Sequence, residues 1–205
     1  MKNTNHPFLK IAGVCSIIAP IVLIVGDLLM FAAGMMFEFT IALWLAFSLF
    51  IPAVFGLTFI LFERGSRLAP VGGISTFIGL MAGAGMQALF RVYAVLIERG
   101  EQPTVELLRS TFKLVAATQM IGLFFPVGLI LLAVSLFRTK VFNPTLPFLF
   151  VLAAILFPIG RIAGVAAAVF ASGVLLFVAF GLIGWQILAG RRSFAAQSGE
   201  FAEAK

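Results

Sequence analysis

From residue 11 to residue 33 the chain carries one charged side chain, Asp27, inside an apolar run long enough to cross a bilayer. In hydrocarbon each backbone N–H and C=O must be satisfied within the segment, so a run of this kind is constrained to be a helix. Asp27 is the only acidic residue well inside any apolar run of the sequence. A carboxylate there is costly unless it is paired, protonated or hydrated. Gly13, Pro20, Asp27 and Gly34 recur at a spacing of seven, which places them near one helical face. That face is expected to look into the protein.

The same constraint acts along the whole chain. Of its 205 residues 62% are apolar and 11% charged, and the mean hydropathy is +1.16, far from the range of a soluble domain. The fold class expected is an all-α integral membrane protein with six transmembrane helices, near residues 8–33, 40–62, 70–97, 114–137, 148–161 and 165–189. Residues 1–7 read as a short tail, 8–192 as one membrane domain and 193–205 as a disordered polar tail. Between the third and fourth spans, residues 98–113 are the longest polar stretch, in which Pro103 and Thr104 can start a short amphipathic turn carrying Val105, Leu107 and Leu108. The first run is too long, and its internal Asp27 too unusual, for a cleaved signal peptide.

Charge sets orientation rather than a nucleic-acid partner. The net charge is +6, yet Lys2, Lys10, Arg64, Arg67, Arg138, Lys140, Arg191, Arg192 and Lys205 gather on one side of the six spans. By the positive-inside rule both termini are cytoplasmic, in a bacterial inner membrane, and residues 98–113 face out. One cysteine, Cys15, excludes an internal disulfide or a cysteine metal cluster.

Two halves of the chain echo one another. Pro20 and Pro126 are 106 residues apart, as are Pro52 and Pro158, while Gly85, Gln87 and Leu89 match Gly184, Gln186 and Leu188 at an offset of 99. Two three-span repeats, 8–97 and 114–192, would have to insert with opposite orientation, an arrangement common in transporters. Chance similarity among helices of one composition is the alternative. The four prolines are read as helix kinks, which either free carbonyls for a ligand or bend helices for packing.

On the third span Ser75, Gly79, Gly83, Gln87 and Arg91 follow one another at a spacing of four. Ser75, Gly79 and Gly83 suit helix packing, within the bundle or across a homodimer seam. At about 1.5 Å per residue from the cytoplasmic ends, Asp27 and Gln87 lie at nearly the same depth, with Arg91 one turn further. An outward-facing ligand or ion site of Asp27, Gln87, Arg91 and Gln119 is therefore expected, with Asp27 and Arg91 as its charge pair and Tyr93 and Arg161 on its rim. The competing reading is a structural ion pair that fixes helix register.

Enzymatic classes find little support. The only histidine, His6, lies in the N-terminal tail, which excludes histidine-based haem, metal or triad chemistry within the bilayer. No metal, cofactor or nucleic acid is expected. The partners implied are the lipid bilayer, a small solute or ion, and a second copy or another membrane subunit bound through the GxxxG face and the outer loop.

Segments such as LKIAGVCSIIAPI and RIAGVAAAVF resemble those of small six-helix bacterial inner-membrane proteins of unassigned function, a resemblance that implies no activity. In size and span count the chain is also similar to the substrate-binding subunits of energy-coupling-factor vitamin transporters, with Ala12 and Ser16 as a small-xxx-small pair on the first helix. That likeness is one of architecture, and it does not imply an internal repeat.

Overall fold

In α1, Pro7–Ala33, the residues Ile11, Val14, Ile18, Ile21, Val25 and Leu28 are all exposed, whereas Ala12, Cys15, Ser16, Ala19 and Leu23 are buried. Spacings of three and four thus separate a branched outer face from a small inner one. Both faces are apolar, so the periodicity lies in side-chain size rather than polarity. Small residues inside allow helices to approach, and the branched residues are left for lipid. Gly13, Pro20 and Asp27 fall on the buried face, as their spacing required.

The computed structural model describes residues 7–110 and 120–189. After α1 come α2, Met36–Glu63; α3, Leu68–Glu98; the short α4, Gln102–Ser110; α5, Phe124–Thr139; α6, Thr145–Ala163; and α7, Ala166–Leu188. Six of the helical segments are long and apolar enough to cross a membrane, the fourth of them running Met120–Thr139. The tails, Gln119 and the first part of the fourth expected span lie outside the described residues.

Most helices extend beyond their expected limits. Among the spans described in full, the largest differences are that α2 starts at Met36 rather than residue 40 and α6 runs Thr145–Ala163 rather than 148–161. Pro147 does not delay α6, because the first turn of a helix has no partner for its N–H. Asn143 Oδ1 accepts hydrogen bonds from the Thr145 backbone N–H at 3.0 Å and its hydroxyl at 2.6 Å, fixing that start. At the other end Gly164, with φ of 71°, terminates α6 in the left-handed conformation that glycine tolerates best.

Each span packs on its chain neighbour: α1 on α2, α2 on α3, α3 on α5, α5 on α6, α6 on α7, with α7 closing back on α1. The result is a ring of six. Along its axis Phe50 packs on Phe180 at 5.1 Å between ring centroids, Phe150 on Phe180 at 5.0 Å and Phe125 on Phe157 at 4.8 Å. These rings fill the middle of the bundle with well-matched edge and tilted contacts. Above them, at the distal end opposite Pro7 and Leu188, the helices leave a cavity.

Candidate functional site

Two features of α3 and α5 open that cavity. Lower down, the two backbones nearly touch: a Cβ on Gly79 would strike the Phe125 backbone, one on Gly128 would strike Thr76, and the Ser75 hydroxyl donates to the Phe124 carbonyl at 2.9 Å. Pro126, between these contacts, cannot donate to the carbonyl of Gly122, and above the crossing the helical path breaks at Leu123. Gly122, Leu123 and Pro126 form part of the cavity wall. Pro158 of α6 forms another part, whereas Pro20 and Pro52 are interior to α1 and α2 and do not line it. All four expected kink positions fall in membrane-spanning segments.

The cavity has a volume of about 680 Å³. Its wall is mainly apolar and aromatic, with Phe39 and Phe47 from α2, Met86 and Phe90 from α3, and Phe157 from α6. Phe157 belongs to both the cavity and the ring cluster beneath it, so the cavity is floored by the packed axis. Polar side chains on the wall are Gln87, Tyr93, Glu98 and Arg161. Size, concavity and a few polar groups on an apolar wall are the usual attributes of a small-molecule site.

Asp27 stands behind this wall and is fully buried. Its Oδ2 accepts a hydrogen bond from Arg161 Nη2 at 2.8 Å, and its Oδ1 lies 2.6 Å from the same nitrogen. The pair reaches from α1 to α6 beside α7, where Gly173 faces Ile24 and the Asp27 carboxylate. Arg161 also sits in the last turn of α6, where a cation meets the negative end of the helix dipole. Its side chain is 18% exposed.

The expected Asp27 to Arg91 pair is therefore corrected to Asp27 to Arg161. Arg91 instead places its guanidinium 3.1 Å from the centroid of the Phe37 ring, on the α2 side. Depth alone cannot distinguish the two arginines. Residues four apart rotate by about 40° at each step, so the stripe from Ser75 to Arg91 turns through about 160°. It begins against α5 at Ser75 and Gly79, faces Phe47 and the cavity at Gly83 and Gln87, and ends against Phe37.

Gln87 is 7% exposed, lines the cavity, and its Oε1 accepts no hydrogen bond among the described residues. Arg161 Nε likewise donates none among them. Tyr93, expected at the rim, is 4% exposed and is a wall residue. Gln119 falls outside the described residues.

Sequence reasoning missed Arg161 as the partner of Asp27, and Glu98 as a wall residue. The signal for Arg161 lay in the start of α6. Counting from Thr145 puts Arg161 about 24 Å along its helix, about one turn short of the about 30 Å of Asp27 along α1, a gap that the long arginine side chain spans. Counting from residue 148 hides the match. Ala12 and Ser16, the small pair on α1, are fully buried in the bundle, Ala12 against Gly56 of α2 and Ser16 against Gly184 of α7. No protein-family model matches the chain, nor do any curated proteins or solved structures.

Proposed function

We propose that this polytopic membrane protein binds a small solute in its distal cavity, as a transporter-like protein or a solute-binding membrane subunit. One observation carries the reading: an apolar cavity of about 680 Å³ with Gln87 and an Asp27-held Arg161 on its wall. The packed rings beneath the cavity favour a binding pocket over a continuous pore. The distribution of Lys and Arg supports cytoplasmic termini in a bacterial inner membrane, which turns the cavity outward. An inverted repeat would fit the ring order, in which α1 to α3 and α5 to α7 occupy equivalent halves.

The other reading, a non-transporting subunit or sensor that binds a protein partner or lipid through the GxxxG face of Gly79 and Gly83 and the outer loop, has less support. The Gly79 face meets Phe125 and the Gly83 face meets Phe47 within the same chain.

Native mass spectrometry of the protein released from detergent tests the proposal. Wild type is expected to carry a small molecule that Ala94→Phe, which fills the cavity wall, has lost. Equal masses bound to both proteins, or none bound to wild type after incubation with membrane extract, would overturn it.

A further inference from the structure

Polarity along the cavity wall is graded with depth. Below the distal end, the wall side chains that keep exposed surface are apolar, among them Met86 and Phe90 of α3, Leu123, and Phe157 of α6. Gln87 and Tyr93 are buried and offer an occupant little polar surface. The two charged residues on the described wall are Arg161, in the last turn of α6, and Glu98, the last residue of α3. Charge thus collects where these helices end, at the distal end of the cavity, and hydrocarbon lies beneath it.

We infer that the cavity holds the hydrocarbon chain of an amphiphilic membrane lipid, whose head group rests at the distal end. This rests on the binding-cavity reading above and names the class of ligand.

Shape and solvation point the same way. The α3 wall residues Gly83, Met86, Phe90, Ala94 and Ile97 recur at spacings of three and four, which keeps them on one face. They cover about 21 Å of helix axis at 1.5 Å per residue, so this side of the cavity is long in the direction in which lipid chains run. A lipid of the distal leaflet has the same order as the wall, with its head at the membrane surface and its chain toward the midplane. A compact polar solute would give up water for ring and aliphatic surface along most of that length, which is unfavourable. A chain exchanges one hydrocarbon surrounding for another and gains contacts with a packed wall.

Tryptophan fluorescence reads the occupant. With both native tryptophans replaced, Trp44→Phe and Trp185→Phe, Met86→Trp puts a reporter on the half-buried cavity face of α3, and Met81→Trp one on an exposed face outside the cavity. Each is reconstituted in phosphatidylcholine brominated in its chains, and separately in unbrominated phosphatidylcholine with iodide in the water. Brominated chains are expected to quench Met86→Trp nearly as strongly as Met81→Trp, and added Ala94→Phe to reduce the first loss and spare the second. Quenching of Met86→Trp by iodide and not by brominated chains overturns the lipid-chain inference and leaves the cavity reading standing. Bromine quenching that Ala94→Phe leaves unchanged arises outside the cavity and also overturns the inference. Quenching by neither agent, with nothing retained by wild type in native mass spectrometry, overturns both. If Met86→Trp does not fold, the molecule that wild type retains decides: a chain-bearing lipid upholds the inference and a chainless solute overturns it.

Discussion

At the scale of single residues, the contact between Asp27 and Arg161 carries the strongest consequence. Moving two charges out of water is costly, and their attraction offsets that cost only while both remain. Asp27→Asn should leave an uncompensated guanidinium inside the bundle and destabilise the protein by about 3–5 kcal/mol, read as a lower thermal midpoint and a smaller monodisperse fraction in detergent. Replacing both, Asp27→Leu with Arg161→Met, should recover most of that stability, because an apolar pair of similar volume has no charge to strand. Should the double variant be as unstable as Asp27→Asn, the interaction is not the pairwise one described. Arg91, held over Phe37, serves as the control: Arg91→Gln should leave the Asp27 contact intact.

At the scale of elements, the crossing of α3 and α5 decides whether the cavity exists. Gly79 and Gly128 bring the two backbones together, and Pro126, within that crossing, leaves the helical path broken at Leu123 just above it. Gly79→Leu has no space to enter, since the Phe125 backbone occupies it. Overpacking of this kind costs about 1–3 kcal/mol in soluble cores, and here the neighbour is main chain that cannot rotate away. Thermal unfolding in detergent should place Gly79→Leu well below Gly85→Leu, because nothing lies within 4 Å of a Cβ at Gly85. Equal midpoints for the two would contradict the crossing. Both glycines stand on one helix and look alike in the sequence, and only the neighbour tells them apart.

At the scale of the whole molecule, the orientation of the ring can be read from its loops. With Cys15→Ser as background, Glu98→Cys should react with a membrane-impermeant maleimide in intact cells, and Glu63→Cys only after permeabilisation. The opposite pattern would place the cavity on the cytoplasmic side. Six spans, their approximate limits and an inward Asp27 were legible in the sequence, because a bilayer admits few solutions for long apolar runs and leaves no place for an isolated carboxylate in lipid. Depth was legible only where a helix start was: the start of α6 at Thr145 rather than residue 148 shifts Arg161 by about 4.5 Å along its axis. Direction around each axis was not: a spacing of four drifts by about 40° per step, so the stripe that starts with Ser75 reaches Arg91 on a different side of α3. Only the tertiary structure decided that Arg161 meets Asp27 and that Gln87 faces a cavity. Both depend on which helices are neighbours in the ring, and apolar helices of similar composition carry little information about their neighbours until they pack.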